Sequence, residues 1–499
     1  MKKTLLRVSE WKIWDVVWAL FVLILPLTSV PFVVRLVHSD AVAAPSALLL
    51  PFLLFALLIP FLLNHGELPD RASPLVLTVL AILFTSVISF YNVIPYYKGQ
   101  NPIRSTIMAV LTLIVGFSFY LVSVLKHNNE NHFRTTFKLL SISGAVVCLW
   151  TLLQAFFWYK DNHYPEWMQQ IQFTLSIGSL YRQRFVGFTL EPSWLAHQLN
   201  LLYLPFWFAA SITGFTAFRF RLKFITVERI LFAVGMLVLF LTLSRVGLAA
   251  FLITAGFAGL VFVSRLIKKF AGSFPVEKRR MITLLAVLGI ILLTAVIAYI
   301  ILRLLMKLDF RMAEIFSIEL EGRSDPFFYL SEKLSLAARF VYWDGGITIF
   351  NEHPLFGVGL GHAGYHLPQS LNDYAYRLVE VRSLLYHSNT LLNIKSLWIR
   401  ILAESGIFGF TFFFVWYLRS LLGDLLHLQE QDTLKCTAAW MGCFALLAFT
   451  LEGFSLDTFA LPYLWFSTGL AAGAEKYTNR NQPEMAVNKS GLMLLGKDT

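Results

Sequence analysis

The chain has 499 residues, 57% of them hydrophobic and only 14% charged, with a mean hydropathy of +0.65. Soluble domains carry charge on about a quarter of their residues, and the deficit here runs along the whole chain, which argues against a soluble enzyme or binding domain. The net charge of +11 fits Lys and Arg gathered in the cytoplasmic loops of a multi-pass membrane protein; nucleic acid would need a basic surface facing water, and none is expected as a partner.

The N-terminus, "MKKTLLRVSEWKIWDVVWALFVLIL", joins a basic flank to an apolar run that continues through "PLTSVPFVV". That run exceeds the roughly 7–15 apolar residues of a signal peptide and reads as an uncleaved first transmembrane helix. A spanning helix needs about 20 mostly apolar residues. About twelve segments qualify, near 13–34, 44–63, 74–94, 104–125, 136–158, 194–216, 228–243, 246–265, 282–305, 396–418, 436–452 and 458–474. With a cytoplasmic N-terminus, the basic loops fall on one side: Lys2, Lys3, Arg7 and Lys12; Lys126, Arg134 and Lys138; Arg219, Arg221 and Lys223; Arg265, Lys268, Lys269, Lys278, Arg279 and Arg280. The positive-inside rule then puts both termini in the cytoplasm, for a chain in the cytoplasmic (inner) membrane.

Two segments expected outside are too polar to span. Residues 1–305 read as helices 1–9 with a polar outer loop near 159–193; 306–395 as a large extracytoplasmic loop of short helices; 396–474 as helices 10–12; and 475–499 as a disordered cytoplasmic tail. Loops this long usually have structure and a task. Cys148, Cys436 and Cys443 all lie in apolar runs without metal-site spacing, so no structural disulfide is expected.

The outer side collects Arg182, Arg184 and Glu191, then Arg245, Arg339, His353, His362, His366, His387 and Lys395. Arg184 stands before the sixth segment, in "RFVGFTLEPSWLA", and Arg245 in the turn "LTLSRVGLAA". An interfacial arginine can simply snorkel to headgroups. Arg245, however, occupies an outer turn where orientation does not call for positive charge, and a charge at the bilayer usually has a partner. Phosphate suits the planar guanidinium, which meets two oxygens at once. Glu191 reads either as an acid at the start of the next helix or as a catalytic acid; the residues leave both open. "GVGLGHAGYH", with Gly357 and Gly359, lacks the strand, helix and distant acid of a dinucleotide fingerprint. Its glycines read as structural, allowing close approach of backbone to backbone or ligand. His362 and His366 lack the acid of a zinc-protease helix, and no metal is expected. In "KSLWIRILAESGIFGF", Arg400 and Glu404 are neighbours on one helix face and read as a structural ion pair, while Lys395 points elsewhere.

Taken together, "RFVGFTLEPSWLA", "LTLSRVGLAAFL", "RFVYWDGGITIFNEHPLFGVGLG" and "LWIRILAESGIFGF", in that order from about Arg182 to Phe410, resemble the O-antigen ligase and polymerase superfamily of bacterial membrane glycosyltransferases. The resemblance implies an all-α, GT-C-like fold working on the outer face of the membrane without metal or other cofactor. The donor it implies is a glycan on a polyprenyl diphosphate. An acceptor hydroxyl attacks the anomeric carbon and the lipid diphosphate leaves. The family's two diphosphate-binding arginines match Arg184 and Arg245, with Arg182 beside them, and Arg339 matches the arginine that opens the loop motif and would bind incoming glycan or a second diphosphate. Where the ligases carry a histidine nine residues before the last motif's glutamate, this chain has Lys395. That departure favours a polymerase over a ligase, with His387, Lys395 or Glu191 as the group that handles the acceptor proton. The expected partners are the lipid-linked donor, a glycan acceptor, membrane lipids and a chain-length regulator. A lipid or glycan transporter is the reading from another class; polar groups on one side only, and unlike halves, disfavour it.

Overall fold

In lipid every backbone polar group has to be bonded within the protein, so apolar runs of this length become helices. The computed structural model describes residues 13–37, 43–65, 68–69, 72–127, 129–270, 276–308 and 336–476. The helices are α1 (Ile13–Leu23), α2 (Pro31–Val37), α3 (Pro45–His65), α4 (Ser73–Ser89), α5 (Pro102–Lys126), α6 (Glu130–Asp161), α7 (Glu166–Leu175), α8 (Pro192–Gln198), α9 (Leu204–Thr213), α10 (Val227–Leu241), α11 (Arg245–Phe270) and α12 (Val276–Leu308). They continue with α13 (Ala337–Glu352), α14 (Ala363–Ser370), α15 (Val379–His387), α16 (Leu397–Leu426), α17 (Thr433–Glu452) and α18 (Pro462–Lys476). Among the described residues the only sheet is the short hairpin of β1 (Arg221–Leu222) and β2 (Ile225–Thr226).

This is an all-α polytopic membrane protein. Each of the twelve apolar segments holds helix, and seven of the described helices are long and apolar enough to cross a membrane. Several segments are shorter or broken, and the reasons are local. The first divides into α1 and α2 because Pro26 and Pro31 lack the N–H a continuous helix needs. The bared backbone is bonded by distant parts of the chain. Gln198 Nε2 donates to Pro26 O (3.1 Å), Ala43 N to Thr28 O (2.7 Å) and Ile177 N to Ser29 O (2.9 Å). The sixth is interrupted by a π turn, Leu199–Tyr203, between α8 and α9. A large core joins α1, α5, α6, α9, α16, α17 and α18, and a smaller one joins α13, α14 and α15 to the start of α16. By contrast α12 carries exposed Leu284, Leu288, Ile291 and Leu292, as suits a helix facing lipid.

The long segment 306–395 contains α13, α14, a 3-10 turn (Asp373–Arg377) and α15. Its residues 309–335 lie outside those described, as do 477–499, which cover nearly all of the expected tail.

The two ends of the bundle differ in charge. At one end Arg134 Nη1 donates to Thr216 O (2.9 Å) and Arg265 Nη2 to Leu428 O (2.7 Å), so the basic loops meet there. From Arg134, α6 runs on to Asp161 at the other end, where the 162–191 segment begins.

Candidate functional site

The segment "RFVGFTLEPS" is fixed by Gln154, a buried residue of α6. Its Oε1 accepts from Val186 N (3.2 Å) and Gly187 N (3.1 Å), and its Nε2 donates to Gly187 O (2.9 Å). An amide that satisfies three backbone groups in a buried position pins the segment in one register. Arg184, just before this clamp, turns toward α10 and α11. Its Nε donates to Thr242 O (3.3 Å), and Phe185 N donates to Leu241 O (3.4 Å).

Thr242 belongs to the sharp turn that presents Arg245. Leu243 takes a left-handed conformation (φ 49°), and Thr242 Oγ1 accepts from Ser244 N (3.1 Å). Ser244 then caps α11, its Oγ accepting from Gly247 N (3.3 Å) and its carbonyl from Leu248 N (2.9 Å). Arg245 is the first residue of α11, at the positive end of a 26-residue helix. Two arginines from separate loops thus meet at one turn beside a helix N-terminus, a combination suited to an anion with several oxygens.

The first turn of α11 is braced from behind. Asn200 Nδ2 donates to Gly247 O (2.7 Å) and to Glu452 Oε1 (2.6 Å), and His197 Nδ1 lies 2.6 Å from Glu452 Oε2. His197, Asn200 and Glu452 are all buried, and they tie α8, the π turn and the end of α17 to the arginine-bearing helix.

Glu191 sits at the start of α8. Its backbone takes the capping position, its side chain makes no capping bond, and its Oε1 accepts from Ser193 Oγ (2.5 Å). Burial pushes the Tyr181 phenol up, with the Glu191 charge adding to that and the Arg184 charge opposing it.

A second gathering forms around Asp457, in the loop between α17 and α18. Arg400 donates from Nη1 to Asp457 O (2.6 Å) and from Nε to Glu404 Oε2 (3.0 Å). Arg339, near the start of α13, donates from Nη1 to Ser455 O in the same loop (3.4 Å). Burial holds the Asp457 carboxyl above the usual carboxylate range; Arg400, Arg339 and Lys395 pull it back, and Glu191 pushes it further up. Asp457 therefore feels groups from three separate stretches of chain, including Glu191 on the arginine side. Arg400 and Glu404 also line a cavity of about 300 Å³ with Ser105, Asn393 and Gly361.

Lys395 takes a left-handed conformation (φ 58°), pairs with Glu380 and lies over the Tyr342 ring, 4.9 Å from its centroid. His387 is exposed at the end of α15, and among the described residues its ring makes no hydrogen bond. Arg182 is exposed and lines a cleft with Trp158 and Tyr164. His362 donates from Nδ1 to Val358 O (3.0 Å), with its Nε2 2.7 Å from Thr106 Oγ1. His353 and His366 face each other with ring centroids 5.7 Å apart. Among the described residues no group of three or more His, Cys, Asp or Glu could hold a metal ion.

The glycines around Gly357 do a different job. Helix α16 breaks at Gly406 (φ 62°, ψ −169°), about one and two-thirds turns beyond Arg400. The bared groups are met by the "PLFGVGLG" strap. Ile407 N donates to Pro354 O (2.8 Å) and Phe408 N to Leu355 O (3.2 Å), while Val358 N donates to Ala403 O (3.0 Å) and Gly359 N to Glu404 O (2.9 Å). A Cβ on Gly357 (φ 66°) would stand 2.5 Å from the Glu404 carbonyl carbon, and one on Gly406 would stand 2.4 Å from that of Leu355. The strap and the broken helix fit only because both positions are glycine.

Residues 230–414 match the family described as O-antigen ligase. Over that stretch the chain is similar to this family, which supports the resemblance to the O-antigen ligase and polymerase superfamily. The matched stretch contains Arg245, Arg339, Gly357, Gly359, Arg400 and Glu404, but stops short of Arg184, Glu191 and Asp457, which the fold brings to the same end of the bundle. Comparison with curated proteins gave no match. Reading the sequence alone overlooked Asp457, His197, Asn200 and Glu452. A signal for three of them existed: ionisable residues within or just after apolar runs, in "LAHQLN", "FTLEGF" and "SLDTF", are costly in lipid and mark sites.

Proposed function

We propose that the chain is a membrane glycosyltransferase that polymerises polyprenyl-diphosphate-linked oligosaccharide repeat units, on a GT-C-like scaffold of about twelve spans. With the basic end cytoplasmic, both termini lie inside and the arginine corner faces out of the inner membrane. The observation that carries this reading is the contact of Arg184 with the turn that presents Arg245. Arg184, Arg245 and the N-terminus of α11 would hold the diphosphate. An acceptor hydroxyl attacks the anomeric carbon, a new glycosidic C–O bond forms, and the bond to the diphosphate breaks with its electron pair. The two guanidiniums stabilise the charge that grows on the leaving group.

Of the three candidates for the acceptor proton, Glu191 is supported best. Its charge acts both on Tyr181, which Arg184 also influences, and on Asp457, and Ser193 donates to its carboxyl oxygen. Lys395 is engaged by Glu380 and His387 is directed to solvent. Arg339 and Arg400 would receive the acceptor glycan. The matched family description favours a second reading, a ligase, which differs only in the acceptor.

The test is reconstitution in lipid nanodiscs with lipid-linked repeat units from the producing cell. A ladder of longer glycans, with one polyprenyl diphosphate released per bond, is expected. Transfer only onto a lipid acceptor identifies a ligase; no transfer to either acceptor rejects both readings.

A further inference from the structure

A second feature at the arginine end has no part in the chemistry above. Between the end of α6, helix α7 and the residues before Arg184 lies an open cleft of about 800 Å³. That volume falls in the range of small-molecule and ligand sites. Its lining includes Trp158, Tyr164, Phe173, Gln169, Gln172 and Arg182.

Three properties of this lining point to one ligand chemistry. The first is an aromatic wall. Trp158 and Tyr164 pack with ring centroids 5.4 Å apart, and Phe173 is 57% exposed although it is a large apolar ring. A sugar ring presents an apolar C–H face that covers such a wall and a hydroxyl rim that does not. The second is a set of amides. Gln169 Nε2 is engaged by Tyr164 O (2.8 Å), which fixes the side chain. Gln172 is 1% exposed, and its Oε1 accepts from Trp150 Nε1 (3.1 Å) and Gln154 Nε2 (3.3 Å). That fixes its amide orientation and leaves Nε2, a buried donor, with no partner among the described residues. A buried donor of this kind costs free energy until something accepts from it. The third is the charge: Arg182 contributes a cation, and the described lining includes no carboxylate.

The cleft is also placed for the glycan of the donor. Arg182 precedes Arg184 by two residues, at most about 7 Å of extended chain. Gln172 is bonded to Gln154, the same amide that clamps Gly187. One rigid piece therefore carries both the cleft wall and Arg184.

We infer that this cleft is a glycan subsite, which holds neutral or acidic sugar rings of the repeat unit while the diphosphate occupies the Arg184–Arg245 corner. The aromatic wall takes a sugar face, Gln169 and Gln172 take hydroxyls, and Arg182 takes a hydroxyl or an acidic substituent. The inference rests on the glycosyltransferase reading, but its test does not need catalysis.

The probe is the free oligosaccharide that mild acid releases from the producing cell's lipid-linked repeat units. Calorimetric titration into the full-length protein in nanodiscs would compare wild type with Phe173→Ala, Gln169→Ala and Arg245→Ala. Phe173 and Gln169 are both exposed, so neither change removes core packing. Each should weaken binding by about tenfold, as loss of one stacking or hydrogen-bonding partner does, at an unchanged melting temperature. Arg245→Ala should bind the free glycan as wild type does. No binding by wild type, equal binding by the two cleft variants, or a loss in Arg245→Ala as large as theirs would each overturn the subsite. Failure of the glycosyltransferase reading shows separately, as absent transfer from the lipid-linked donor while free-glycan binding and its cleft dependence persist.

Discussion

Arg184 reaches across to Thr242, its Nε donating to the Thr242 carbonyl at 3.3 Å, and so docks on the turn from which Arg245 opens α11. The bond joins two stretches that no local pattern connects. It makes the arginine corner a product of tertiary structure, held by Gln154 on one side and by the Asn200–Glu452 brace on the other.

The choice of Glu191 for the acceptor proton predicts a clear order among three variants. Glu191→Gln should lower transfer by about a hundredfold or more, within the range for loss of a positioned acid–base group. His387→Ala should stay near wild type, and Lys395→Ala should lose only what the Glu380 pair contributes to folding. Initial rates in nanodiscs decide the matter; a large loss in His387→Ala with Glu191→Gln near normal would reassign the base.

The glycine strap predicts a stability effect separate from chemistry. Gly406→Ala and Gly357→Ala each force a side chain into a left-handed backbone and into neighbouring main chain. The conformational strain alone costs on the order of 1–3 kcal/mol, and the contact adds to it. Both variants should melt earlier than wild type in thermal unfolding, and transfer should fall with them because Arg400 and Glu404 precede the break. Unchanged melting in both would show that the strap is not needed to hold the broken helix.

How much of this was legible in the sequence differs by level. Lipid makes helices legible, since a long apolar run has few other stable forms, and the all-α membrane class follows from that. Breaks are less legible. Pro26 and Pro31 announce the first, but the break at Gly406 depends on Pro354, Leu355, Val358 and Gly359 arriving to bond the freed backbone. Arg245 stands out as a charge between apolar runs. Its setting does not, because the brace comes from residues far away in the chain. Lys395 could be seen to avoid the face of Glu404, yet its partner Glu380 belongs to another helix. Asp457 gains its character from burial, which raises its pKa, and from the cations the fold gathers around it, which oppose that shift.

The His197–Asn200–Glu452 brace predicts that Glu452→Ala is costly. It leaves His197 Nδ1 and Asn200 Nδ2 without their shared acceptor in a buried place, at about 1–3 kcal/mol for each group left unsatisfied. Glu452→Gln, which keeps one carbonyl oxygen, should retain more of the stability. If the Ala variant melts with wild type, the brace does not support α11.

His366 predicts an acid-sensitive step in stability. Burial first, then the neighbouring His353 and His362, lowers its pKa from 6.5 to about 4. A folded value below the unfolded one means that the unfolded chain binds the extra proton between them. The contribution is therefore complete above about pH 6.5 and is lost as the pH falls toward about 4. Melting temperature should drop across that window in wild type, and less in His366→Leu. Identical pH slopes would remove His366 as the cause.

The central claim is that the Arg184–Arg245 corner grips a lipid diphosphate. Its most direct measurement is binding of polyprenyl diphosphate to the full-length protein in nanodiscs, for wild type, Arg184→Ala and Arg245→Ala. Loss of one charge-assisted, bidentate partner should weaken binding by about tenfold or more, with normal melting in both variants. Equal affinity in all three proteins would contradict the account.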